Sequence, residues 1–153
     1  MTEIRKASIN DVPVVLSMAE RFYGATMFPR WMPFDGDTVA RLAAALAEDH
    51  VLLLAEDEGQ VVGMAGLFVL PFMFNTNHVS AHEVVWWVEP EAQGKGAGKA
   101  LLQAIEPACR DRGAELIYMV HLANSPPQAA AAYERLGYEH GESSYVKAVP
   151  RAA

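Results

Sequence analysis

The chain has 153 residues, enough for one hydrophobic core, and its 52% hydrophobic and 20% charged composition is that of a globular domain rather than a disordered or collagen-like chain. Twelve Lys and Arg against nineteen Asp and Glu leave a net charge of −7, a field that repels nucleic-acid backbones, so an anionic ligand needs a local binding site. The single cysteine, Cys109, excludes an internal disulfide, no Cys/His spacing matches a metal site, and no stretch reaches the ~18 apolar residues of a membrane span. With no apolar leader behind Met1, a reducing, cytoplasmic setting is expected.

Residues 2–7 alternate as a short strand, and a helix over 12 to about 23 follows, capped by Asn10 or Asp11 with Pro13 in its first turn. Residues 24–37 are broken by glycine and proline yet carry Phe28, Trp31 and Phe34, a composition suited to covering a pocket. Asp37 is the expected N-cap of a second helix over 38–50, whose apolar positions Val39, Leu42, Ala43, Leu46 and Ala47 keep helical spacing. Residues 51–55 and 61–70 read as a hairpin turning at Gly59, and a further strand runs from about 81 to 89, where Pro90 stops it.

A helix over 97–112 with core positions Leu101, Ala104, Ile105, Ala108 and Cys109 ends at Gly113. Pro107 in its interior removes a backbone hydrogen bond, at a cost of about 3 kcal/mol, and predicts a bend. Residues 115–121 form the next strand, 128–136 the next helix and 138–149 a closing hairpin that turns near 141–143. No repeat or linker divides the chain, so residues 1–153 are read as one domain.

The most informative stretch is Gln93-Gly94-Lys95-Gly96-Ala97-Gly98-Lys99, lying between a strand and a helix. Three alternating glycines clear side chains from a helix N-terminus, where main-chain N–H groups can close on an anion, and Lys95 and Lys99 add positive charge there. The spacing is wrong for a nucleotide P-loop, which needs four residues before Gly-Lys-Ser/Thr, and Ala100 replaces the hydroxyl residue. It is also wrong for the Gly-x-Gly-x-x-Gly dinucleotide turn. His82-Glu83 is not followed by a histidine at position 86, so a zinc peptidase motif is absent.

Gln93, Gly96 and Gly98 fit the pattern Gln/Arg-x-x-Gly-x-Gly/Ala, and Ala132-Tyr133-Glu134-Arg135-Leu136-Gly137-Tyr138 is similar to a Leu-Tyr-x-x-x-Gly-Phe/Tyr segment. On these two motifs and the order of elements, the sequence resembles the GNAT N-acyltransferase superfamily over nearly its whole length. Glu83 to Pro90 and the closing Tyr145-Val146-Lys147 also look like a branch known only as phage-related. The resemblance implies an α/β (α+β) fold, a mixed twisted sheet of six or seven strands flanked by about four helices, with acetyl-CoA as donor and no metal. It places the pantetheine beside the backbone of Trp87, Val88 and Glu89 and the diphosphate on the amides of Gln93, Gly94, Lys95, Gly96, Ala97, Gly98 and Lys99.

Within that resemblance Tyr133 is the acid that protonates the departing thiolate, or else a helix residue packed beside the cofactor, and the Val88 N–H is the oxyanion donor. Glu83 is the candidate base, taken to share strand parity with Val85 and Trp87, or an exposed strand-end carboxylate. An unperturbed Glu and an alkylammonium differ by about 6 pKa units, so burial must narrow the gap. Asn124 stands nine residues before Tyr133, off the family's spacing. Tyr23, Phe28, Trp31 and Trp87 are the expected wall of an acceptor pocket. The function expected is transfer of acetyl to a primary amine in a ternary complex, by a monomer or homodimer that binds neither nucleic acid nor membrane. The alternative is an acyl-CoA-binding module without turnover.

Overall fold

The computed structural model describes residues 1–152. A five-stranded sheet has the order β1 (Glu3–Lys6), β2 (Val51–Asp57), β3 (Gln60–Phe72), β4 (Asn75–Val88), β5 (Leu116–Tyr118). Neighbours are antiparallel except β4 and β5, which run parallel because α3 (Ala97–Asp111) crosses over between them. Two helices, α1 (Val12–Ala25) and α2 (Gly36–Asp49), precede β2, and α4 (Pro127–Arg135) follows β5.

Val51 to Ala55 is a continuous apolar run because both of its faces are covered. Leu52 and Leu54 join Met64, Val85, Met18 and Leu46 under α1 and α2. Val51, Leu53 and Ala55 join Ala65, Leu67 and the α3 residues Leu101, Leu102, Ile105 and Cys109 on the other face. The sheet is thus a middle layer between two helix pairs. Gly63 on β3 is crowded by β4 and α3: an added Cβ would stand 2.8 Å from the Trp87 carbonyl oxygen and 3.2 Å from Leu101 Cδ1.

Several expectations are corrected. The N-cap of α2 is Asp35, whose carboxylate accepts the Thr38 N–H at 2.9 Å, and Asp37 sits in the first turn, where its charge still favours the positive helix end. The sheet has five strands, not six or seven, since 138–149 form no hairpin and only Leu116–Tyr118 of the 115–121 segment is strand. β4 begins at Asn75, six residues before the expected start at Ala81. Helix α3 ends at Asp111, one residue before the expected Arg112, with Pro107 inside it as expected.

Candidate active site

The site begins where two strands part. Pairing of β4 with β5 covers Ser80, Ala81 and His82 and then stops, while β4 continues along β3 as far as Val88 opposite Gly63. From Glu83 onward the β5-facing edge of β4 is therefore open. The Glu89 N–H donates to the Val62 carbonyl at 2.8 Å. Main-chain groups alternate along a strand, so Trp87 also turns towards β3, whereas Trp86 and Val88 present their N–H and C=O groups to the open edge. Of the three backbones expected along the pantetheine, only Val88 faces the gap; Trp87 and Glu89 are committed to β3, and Trp86 is the other residue whose backbone faces it.

A bulge sets the side chains. Gly66 pairs with Val85 but Leu67 with Glu83, leaving Val84 as an extra residue. One inserted residue reverses the alternation. Val84, Val85 and Trp87 pack on the α1 and α2 face, and Glu83 shares the opposite face with Trp86 and Val88. The expected parity of Glu83 with Val85 and Trp87 is thereby overturned, in the direction that brings Glu83 to Tyr133.

Glu83, Trp86, Trp87 and Val88 from β4, Gln93, Gly98 and Lys99 from the glycine turn, and Tyr133 from α4 line one cleft of about 560 Å³. Burial pushes the Glu83 carboxyl up to about 8, with the Val120 N–H pulling weakly the other way. Tyr133 is 8% exposed, its hydroxyl donates to the Val120 carbonyl at 2.8 Å, and its ring lies 5.5 Å from Trp86 and 5.7 Å from Tyr138. Burial first, then the nearby Glu83 and Tyr138, hold the phenol well above its ordinary range. The cleft thus carries two protonated acids at neutral pH, one of them ready to ionise just above it.

The glycine turn has the geometry of an anion cradle. Gly94 and Gly96 have φ of 77° and 96°, a left-handed backbone that disfavours any side chain, and a Cβ at either would meet nothing within 4 Å. The first bond of α3 runs from the Ala100 N–H to the Gly96 carbonyl at 3.0 Å, so the N–H groups of Ala97, Gly98 and Lys99 precede it without a helical acceptor. Trp86 Nε1 donates to the Gly98 carbonyl at 3.2 Å, and Gln93 Nε2 to the Val88 carbonyl at 3.0 Å, which ties the turn to β4. Outward amides, Lys95 and Lys99 are the donor set that a diphosphate requires, and these residues fit it.

Other candidates stand elsewhere. Tyr23, Phe28 and Trp31 do not line the cleft: the Tyr23 hydroxyl donates to the Met32 carbonyl, Phe28 is 42% exposed, and the Arg30 guanidinium lies over the Trp31 ring. Phe22 lines it instead, 5.9 Å from the Trp87 ring. Its spacing from buried Val15 and Met18 marks the inward face of α1, a signal that the sequence did carry. Glu89 is buried at 6% exposure and takes both Arg21 Nε contacts at 2.9 and 3.0 Å, with Trp87 Nε1 at 3.3 Å; it locks α1 to the end of β4.

Asn124 is spent on the Ala25 carbonyl at 2.7 Å, and His82 on Ser80. Cys109 is fully buried, and burial lifts its thiol to about 11, as befits a core residue. Among the described residues no three His, Cys, Asp or Glu side chains converge as a metal site.

A strand that parts from its neighbour above a glycine turn, with an acid pair in the gap, defines a coenzyme A-dependent acyl-transfer class. Residues 16–138 match the model of the Acetyltransferase (GNAT) family, and the chain belongs to that family and is an acetyltransferase. It is 31% identical over 114 residues to an aminoglycoside N(6')-acetyltransferase type 1 of Stenotrophomonas maltophilia, covering 72% of this chain and 74% of that one. It is 36% identical over 103 residues to a mycothiol acetyltransferase of Arthrobacter sp. (strain FB24), covering 63% of this chain but only 31% of the relative. In fold it matches a predicted acetyltransferase of Clostridium acetobutylicum, solved with acetyl-CoA, at a TM-score of 0.73 and 18% identity over 96% of each chain.

Proposed function

We propose that this acetyltransferase moves the acetyl group of acetyl-CoA to a primary amine by direct attack in a ternary complex. The observation that carries the reading is the shared cleft: Glu83 and Tyr133 face it from opposite elements, and the anion-binding turn opens into it. The amides from Gly94 to Lys99, with Lys95 and Lys99, hold the diphosphate, and the open-edge main-chain groups of Trp86 hold the pantetheine, the Val88 carbonyl being taken by Gln93 Nε2. The Val88 N–H stabilises the negative charge that develops on the thioester oxygen.

Glu83 takes the amine proton. With its pKa near 8 the gap to an alkylammonium near 10.4 shrinks to about 2.4 units, roughly 3 kcal/mol, instead of about 6 units for an unperturbed carboxylate. Tyr133 returns a proton to the sulfur as the carbon–sulfur bond breaks, its high pKa keeping it protonated until then. The net charge of −7 and the aminoglycoside relative favour a cationic small amine as acceptor.

The test is thiol release from acetyl-CoA with a panel of polyamines, aminoglycosides and peptide amines. Turnover with at least one of them, lost in Tyr133→Phe while acetyl-CoA still binds, is the expected result. Binding of acetyl-CoA with no thiol release from any amine would replace the reading with that of an acyl-CoA-binding module.

A further inference from the structure

Successive residues of a strand point to opposite faces of its sheet, and beyond the Val84 bulge Trp86 faces α3 and α4 while Trp87 faces α1 and α2. Both line the cleft, so it passes through the sheet where β4 and β5 part. The glycine turn, Lys99 and Arg135 stand on the α3 and α4 side, where their N–H groups and charge suit the coenzyme. A coenzyme held there leaves the α1 side to the acceptor.

The α1 side is a fixed apolar wall. Trp87 Nε1 donates to Glu89 Oε2 at 3.3 Å, and Arg21 Nε clamps the same carboxylate at 2.9 and 3.0 Å, so the indole is held in place. Phe22 meets the indole at 5.9 Å with the ring planes 60° apart, and both rings are half-buried rather than sealed in the core. Asn124 Nδ2 donates to the Ala25 carbonyl at 2.7 Å, tying the 122–125 turn to the end of α1, and Leu122 of that turn also lines the cleft.

The molecule carries nineteen Asp and Glu, yet among the described residues Glu83 is the one carboxyl lining this cleft. One carboxyl serves one amine. A polycation would press its remaining ammonium groups against Phe22, Trp87 and Leu122 without counter-charges, and an unpaired charge out of water is strongly unfavourable. A single amine on a flat apolar body meets no such penalty: the body covers the wall, and the ring faces attract the ammonium before it gives up its proton.

We infer that the acceptor of this site is a monoamine on an apolar, ring-bearing body, selected by the Phe22–Trp87 corner. This deepens the acetyl-transfer reading and rests on it. The amine nitrogen bonds to the acetyl carbon as the carbon–sulfur bond breaks, its proton passes to Glu83, and Tyr133 supplies the proton of the leaving sulfur. The products are an apolar amide and the free coenzyme thiol. The excess negative charge of the molecule lies outside the cleft, where it attracts cations of every kind without choosing among them.

The test compares kcat/KM for phenethylamine, ethylamine, spermidine and kanamycin at saturating acetyl-CoA. Phenethylamine is expected to exceed ethylamine by roughly 10–100-fold, the range that burial of one ring supplies, and to exceed both polycations. Phe22→Ala and the milder Phe22→Leu should each cut the phenethylamine-to-ethylamine ratio several-fold, through KM rather than kcat, with far-ultraviolet dichroism unchanged. A value for spermidine or kanamycin above that for phenethylamine overturns the inference, as does a ratio that neither Phe22 variant alters. Thiol release from no amine at all would instead fail the acetyl-transfer reading, and calorimetry then decides the inference by itself. Saturable phenethylamine binding that Phe22→Leu weakens supports it, and absence of binding overturns it.

Discussion

Glu83 holds its proton to about pH 8 because burial in the cleft wall outweighs the opposing main-chain hydrogen bond from Val120. Since the base form is the ionised one, activity should rise with pH through that value, in the manner of a general base, rather than plateau from pH 5. Glu83→Gln is expected to lower kcat roughly 10²-fold and to erase this rise, as a pH–rate profile would show. Tyr133→Phe removes the proposed proton donor and its bond to the Val120 carbonyl but keeps the ring against Trp86. It should lower kcat by a similar ~10²-fold, with the acetyl-CoA dissociation constant unchanged in direct binding. Tyr133 was named from its motif and Glu83 from its place on the strand before the glycine turn. The face of Glu83 was not legible, because one bulged residue, Val84, has no signature in an apolar run and reverses every parity argument beyond it.

The elements that hold these residues depend on a few close fits. Where α3 crosses β3, Gly63→Ala would press a methyl into the Trp87 carbonyl and Leu101, and chemical denaturation should show a loss of about 1–3 kcal/mol. Arg21→Ala would leave the buried Glu89 carboxylate without its guanidinium. Because Arg21 is itself half exposed, the cost should fall short of a fully buried pair, about 2 kcal/mol, with a raised KM where Phe22 and Trp87 shift. The helices were readable from their 3.6 period, and α3 from its glycine-led start. Asp35 lost to Asp37 in the sequence reading because either Asp can cap, and only the position of Thr38 decides between them. The aromatic segment 24–37 misled in another way: Phe34 packs on Tyr23, Trp31 lies under the Arg30 guanidinium and Phe28 is exposed, so none of its rings reaches the cleft.

Across the whole molecule, the buried Glu83 carboxyl makes stability depend on pH. An unfolded chain ionises Glu83 near its ordinary 4.5, while the folded one keeps the proton to about 8, so the native state binds more protons between these values. Its contribution to stability is fully present below pH 4.5 and is lost as pH rises towards 8. Urea unfolding of Glu83→Gln should therefore show a flatter pH dependence than the parent across that window. The order of elements up to α4 was legible because each carries its own periodicity and punctuation. The hairpin expected over 138–149 is absent, since alternating residues suit a strand without supplying the partner that a strand needs.

The account turns on the outward amides that begin α3 and the open edge of β4. Equilibrium dialysis of acetyl-CoA against the full chain tests this most directly. The prediction is saturable 1:1 binding, abolished when Gly96→Val forces the turn out of its left-handed backbone. Absence of saturable binding up to millimolar acetyl-CoA, or equal binding by the Gly96 variant, would contradict it.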